Sequence, residues 1–241
     1  MKKIVIFGFP HTGTTIMKSI FGHILDVYEI INEQLFIEED DLRKAESMNK
    51  KFILCKYPYW SNHFMEDRFK EYYKIFIIRN PAYVYSSLNK RFSVKQYDDQ
   101  GYRLMNNQVP LWKYSDTVRL FNWFKVQSPL ENMMTIKYED FFDNNFQNIK
   151  NILDNIGITY TDEIFDNSKY ENYSVDSVKI PEHKPSNVKH SEYRTWQINQ
   201  PFSNNNIPGS VYLLQEQIDH FKSCPHIQKL YTLERKVYIN Q

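Results

Sequence analysis

Gly8-Phe9-Pro10-His11-Thr12-Gly13-Thr14-Thr15 is the stretch on which the reading of this chain turns. Directly before it, Ile4-Val5-Ile6-Phe7 is a compact apolar run with the length and β-branched content of a buried strand. Directly after it, Ile16, Ile20, Ile24 and Val27 recur at helical spacing, which predicts a helix from residue 14 to about residue 28. Strand, loop with Gly at its first and sixth positions, and helix thus follow in the order of a phosphate-cradling loop. Such a loop aims backbone N–H groups and the positive helix end at an anion. Thr14 and Thr15 add hydroxyl donors. The nucleotide-hydrolysing form continues with Lys and then Ser or Thr, and here Thr14 stands where that Lys would be. The stretch predicts an anion site that lacks the side chain which reaches β- and γ-phosphates.

Outward from this loop, the same alternation continues. Phe52-Ile53-Leu54-Cys55 is a second strand, broken by Pro58, and a helix is expected over residues 63–72. Ile75-Phe76-Ile77-Ile78 is a third strand, and Pro81 sits where a helix opens. The run from Met133 to Tyr138 is a fourth strand, followed by a helix over 145–156 that Gly157 ends. Continuous apolar strands separated by helices imply an α/β fold: a central parallel sheet flanked by helices on both faces. Residues 1–241 read as a single domain. Within it, residues 170–206 are polar and carry Pro181, Pro185 and Pro201, a loop-rich segment of the kind that forms lids or binding surfaces. A last helix is expected over 211–221. Between residues 97 and 124 aromatics are dense; Leu120, Phe121 and Phe124 suit a buried helix face, while Trp112, flanked by Pro110 and Lys113, is a candidate for stacking on a sugar.

Composition narrows the function classes. Lys and Arg number 30 against 29 Asp and Glu, a net charge of +1, which argues against a dedicated nucleic-acid binder and leaves room for a local basic pocket. Cys55 and Cys224 are too few for a disulfide framework and have no metal-type spacing, so they read as free thiols in a reducing compartment. The apolar run after Met1-Lys2-Lys3 is cut by Pro10, too short for an export segment, and no later stretch approaches a membrane span. A cytoplasmic protein with no metal, no nucleic-acid partner and no membrane span is expected. Its oligomeric state is open.

Pro10-His11-Thr12-Gly13-Thr14-Thr15 resembles the 5′-phosphosulfate loop of sulfotransferases, written P-[K/R]-[S/T/A]-G-T-T, with His11 as the single departure. Arg79-Asn80-Pro81-Ala82-Tyr83-Val84-Tyr85-Ser86-Ser87 resembles that family's 3′-phosphate motif, an Arg before Asn or Asp and Pro, with a Ser eight residues on. The chemistry of the residues agrees. Arg79 leaves a strand end facing the cleft of an open α/β sheet, its planar fork suits a phosphate, and Ser87 lies about two helical turns further along. Three weaker echoes follow. Lys56-Tyr57-Pro58 resembles the K-x-P segment of carbohydrate sulfotransferases, Tyr138-Glu139-Asp140-Phe141 resembles the family's Y-E-D-L segment, and Lys189 and His190 ahead of Trp196 resemble its late R-K-G segment.

The resemblance implies a P-loop NTPase-like sulfotransferase fold. It implies 3′-phosphoadenosine-5′-phosphosulfate (PAPS) as co-substrate, 3′,5′-bisphosphoadenosine (PAP) as product, and a small-molecule or glycan acceptor bearing a hydroxyl or amine. His11, Thr12, Gly13, Thr14, Thr15, Arg79, Ser87 and Lys189 would bind the nucleotide. The catalytic set would be His11, Glu33 and Lys56, with either His11 or Lys56 as the cation at the leaving oxygen. Glu33, which follows His11 by 22 positions, matches the place of a catalytic Glu in the carbohydrate enzymes; His63 and His23 are the other candidate bases. Two rival readings stand beside this one: a P-loop kinase or nucleotide hydrolase, and a non-catalytic PAPS-binding protein.

Overall fold

Apolar runs of five to seven residues build the centre of the computed structural model, which describes residues 1–59, 62–93, 111–127, 132–170, 211 and 213–231. Five strands, β1 (Lys2–Gly8), β2 (Val27–Glu33), β3 (Phe52–Tyr57), β4 (Tyr72–Ile78) and β5 (Met133–Lys137), form one sheet in the order β2-β3-β1-β4-β5. All four pairings are parallel. β1, β3 and β4 lie in the middle and are apolar on both faces, as a sheet covered from both sides requires.

Alternation along β1 assigns each side chain to a layer. Ile4 and Ile6 join Ile75, Ile77 and Leu54 against α1 (Thr14–Gly22) and α5 (Gln147–Ile156). Val5 and Phe7 join Cys55, Phe76 and Ile78 against α3 (Pro81–Ser93), α4 (Leu111–Gln127), α6 (Gln215–Ser223) and α7 (Pro225–Leu230). Phe7 stacks on Phe76 at 4.7 Å between ring centres, and Phe76 meets Phe121 of α4 at 5.5 Å. Each such side chain, fully buried, contributes about 1.5–3 kcal/mol. The buried Phe121 and Phe124 confirm the expected inner face of α4.

The structure corrects three expectations. The first helix stops at Gly22, and the chain turns through residues 23–26 into β2. Ile24 and Val27 are buried as expected, but from a turn and a strand start, so the periodic count merged residues of two elements facing one core. β2 is an edge strand whose exposure alternates irregularly, and its polar face hid it from the apolar-run criterion. Between β3 and β4 the expected helix is two short 3-10 turns, Asn62–Met65 and Asp67–Phe69, and Tyr72 already belongs to β4. The acidic stretch after β2 forms a further helix, α2 (Glu39–Ser47), and the last expected helix is the pair α6 and α7.

Because the strands are parallel, the ends of all five arrive at one edge. Chain crossovers leave β1 towards β2 and β3 on one side and towards β4 and β5 on the other. The crevice at such a reversal, beyond the carboxyl ends of the strands, is where open α/β sheets bind ligands. No helix among the described residues is long and apolar enough to cross a membrane.

Candidate active site

β1 ends at Gly8, where a side chain would meet the Ile77 carbonyl at 2.3 Å. From there the chain makes a tight turn, with the Thr12 hydroxyl donating to the Phe9 carbonyl at 2.6 Å and the Thr12 N–H to the same oxygen at 3.2 Å. His11 has φ 66° and Gly13 φ 98°, both left-handed. At Gly13 a Cβ would also lie 2.3 Å from the Tyr138 ring, so glycine is required there twice over. Helix α1 starts on the next residue with no side-chain cap, so the amides of its first turn are aimed into the loop.

Two cationic side chains approach this loop from the neighbouring strands. Lys56, at the end of β3, is 2% exposed; its Nζ donates to Thr15 Oγ1 at 2.9 Å and pairs with Glu33 Oε1 at 2.8 Å. Glu33 sits opposite Lys56 in the β2–β3 register, so the expected base and one expected cation are adjacent strand ends that share one ion pair.

On the other side of β1, Arg79 follows β4. Its guanidinium lies 4.2 Å from the Tyr138 ring centre and donates from Nη1 to the His11 carbonyl at 3.3 Å. Burial pushes its pKa down, opposed by the nearby Tyr138 and Glu139. Asn80 caps α3, its Oδ1 accepting from the Ala82 N–H at 2.9 Å, and two turns into that helix Ser87 Oγ stands 2.7 Å from His11 Nδ1. The two sequence motifs thereby interlock: the loop histidine touches the serine of the second motif, and the arginine of the second motif touches the loop backbone.

The expected residues do not all converge. His11, Thr12, Gly13, Thr14, Thr15, Glu33, Lys56, Arg79 and Ser87 gather at the C-terminal sheet edge. Lys189 lies outside the described residues, as do His190, Trp196, Pro110 and nearly all of the expected loop-rich segment. His23 follows α1, nine residues from the loop and hence about 14 Å along the helix at 1.5 Å per residue. Its Nδ1 bonds the Ser19 carbonyl, and its ring packs on Tyr170. His63 is exposed and pairs with Glu66. Trp112 is 61% exposed, in α4.

Three supporting residues were not assigned this role from sequence. Tyr138 packs between Gly13 and Arg79; Glu139 accepts the Asn80 N–H at 2.7 Å; the Tyr114 hydroxyl donates to the Arg79 carbonyl. Burial raises the Glu139 pKa and holds that of Tyr114 well above the usual phenol range. Glu139 stands two places beyond the end of β5, inside the Tyr138–Phe141 segment already singled out in the sequence, which was a readable signal for it. Tyr114 comes from a distant helix and left none. The pair Lys18–Glu29, 3.0 Å apart, ties α1 to β2. A concavity of about 740 Å³, lined by Met1, Lys2, Asp26, Lys51, Phe52 and Gly157, lies at the opposite end of the sheet from this chemistry.

A family model described as "Sulfotransferase domain" matches residues 1–204. No curated protein matches the sequence. Among solved structures, a mouse sulfotransferase, SULT7A1, complexed with PAP, aligns over 92% of this chain and 84% of its own at 13% identity, with a TM-score of 0.56. A sulfotransferase from Alicyclobacillus acidocaldarius aligns over 66% of this chain and 82% of its own at 14% identity, with a TM-score of 0.44. The sulfotransferase domain from the curacin biosynthetic pathway aligns over 95% of both chains at 12% identity, with a TM-score of 0.43. At these identities the mouse structure bears on the fold alone.

Proposed function

The chain belongs to the sulfotransferase domain family, and on that premise we propose that it moves a sulfonate group from PAPS to a hydroxyl or amine of a small-molecule or glycan acceptor. The observation that carries this reading is the interlock of two anion-binding elements at one sheet edge, His11 Nδ1 on Ser87 at 2.7 Å and Arg79 on the His11 carbonyl at 3.3 Å. A nucleotide phosphorylated at both 5′ and 3′ positions needs two such elements; ATP needs one. The mouse structure, which shares the fold, holds PAP.

In the proposed reaction an acceptor oxygen or nitrogen attacks the sulfur. The bond from sulfur to the 5′-phosphate oxygen breaks, and its electron pair leaves with PAP. The protein aligns the reactants, stabilises charge on the departing oxygen, and takes the acceptor proton. The loop amides, Thr14, Thr15 and a cation serve the second task. Lys56 is suited to it because it already bonds Thr15 at the helix start, and His11 because it lies within the loop. Glu33 is the proposed base. Its ion pair with Lys56 puts the proposed proton acceptor and the proposed leaving-group cation side by side at the loop.

Incubation with sulfur-labelled PAPS and a panel of sugars, phenols and lipids tests the proposal. Label transferred to an acceptor supports it. Magnesium-dependent ATP turnover would favour the kinase reading, and tight PAP binding without transfer to any acceptor would leave a binding protein.

A further inference from the structure

Arg79 and Asn80 share one peptide bond, and both polar ends of that bond are held by side chains from elsewhere. The carbonyl accepts from the Tyr114 hydroxyl of α4, and the N–H donates to Glu139 Oε1 at 2.7 Å, just beyond β5. Because the peptide is planar, fixing both ends fixes the direction in which the Arg79 side chain leaves the strand. Behind each holder stands the C-terminal pair of helices. Phe221 of α6 packs its ring 6.4 Å from that of Tyr114 and 5.1 Å from that of Tyr85. Tyr231, directly after α7, is buried near the Glu139 carboxylate. Ser115 Oγ with His220 Nε2 at 2.7 Å, and Asn122 Nδ2 to the His226 carbonyl at 3.3 Å, dock the pair on α4. Both helices follow the residues that match the family model, which end at 204.

We propose that the α6–α7 pair is a positioning element for the 3′-phosphate site, acting through Tyr231 and Glu139 on the Asn80 N–H and through Phe221 and Tyr114 on the Arg79 carbonyl. The proposal rests on the reading of Arg79 as the 3′-phosphate ligand. Arg79 is 6% exposed, and burial disfavours its charge while the neighbouring Tyr138 and Glu139 favour it. An arginine in such a place stays inside only if its backbone and partners are fixed; released, the long side chain can turn to solvent. The clamp keeps it on the His11 carbonyl, at the junction of both phosphate elements. None of the four holders has to touch nucleotide.

The test is calorimetric affinity for PAP and for AMP, with melting temperatures, in the full chain and its Tyr231→Phe, Tyr114→Phe, Glu139→Ala and Glu139→Gln variants. PAP and AMP share adenosine and 5′-phosphate, so their affinity ratio isolates the 3′-phosphate. Loss of one supporting hydroxyl should cut that ratio roughly three- to tenfold in each Phe variant, with AMP affinity unchanged. Glu139→Ala should lose more, and Glu139→Gln, which keeps an oxygen for the Asn80 N–H, should recover most of it. The two Phe variants preserve shape and keep the test decisive if Glu139→Ala does not fold. An unchanged ratio in folded variants, or equal losses for both nucleotides that follow a lower melting temperature, would overturn the positioning role. A parent protein that does not prefer PAP to AMP would instead overturn the reading of Arg79 itself.

Discussion

His11 takes the loop position where a permanently charged side chain was expected, and it does so with left-handed backbone and its ring on Ser87. If the imidazolium stabilises the leaving phosphate oxygen, activity must fall as pH rises through its titration, because only the protonated ring carries charge. A free imidazole titrates near ~6.5, and a bound dianion favours its charged form, so the alkaline limb should lie above that value. His11→Lys should keep activity and flatten the limb, since Lys stays charged to about pH 10. A limb unchanged in His11→Lys assigns the titration to another group; mild loss in His11→Ala beside severe loss in Lys56→Ala makes Lys56 the working cation. For the base, Glu33→Gln should lower turnover by roughly 10²–10⁴-fold with PAP affinity nearly unchanged. Parent-level turnover in that variant would show that a different group takes the proton.

At the scale of elements, the loop between β1 and α1 depends on Gly13. An added methyl would enter the Tyr138 ring and force a left-handed backbone on a residue with a Cβ. Gly13→Ala should therefore lower stability by about 1–3 kcal/mol or more, seen as a lower melting temperature, and should weaken PAP binding because Tyr138 also backs Arg79. A variant that melts and binds like the parent would show that the loop has slack which the packing does not suggest. The elements that sequence revealed were those with one dominant signal: the continuous apolar runs of β1, β3 and β4, Pro81 at the start of α3, and Gly157 after α5. Those it missed or blurred carry mixed signals. β2 is a polar-faced edge strand, α2 is largely exposed, and Phe64 and Phe69 stand five apart, a spacing that two 3-10 turns serve better than one helix.

Across the whole molecule, the sheet order brings together residues far apart in sequence. Both sequence motifs were recognisable because each is local, a few residues on one strand-to-helix junction. Their interlock was not, because the distance from His11 to Ser87 depends on β1 and β4 being neighbours. The Glu33–Lys56 pair likewise depends on β2 pairing with β3, and β2 was invisible as a strand. Tyr114 reaches Arg79 from α4, with no local mark of that role.

The central claim, that these two motifs form one site for a nucleotide carrying 5′- and 3′-phosphates, is tested most directly by calorimetric titration of PAP and ATP into the parent protein and Arg79→Ala. PAP should bind far more tightly than ATP, and Arg79→Ala should weaken PAP by about 1.5–3 kcal/mol, the worth of a hydrogen bond to a charged group, while leaving ATP nearly unaffected. Equal affinity of the parent protein for PAP and ATP would contradict the account.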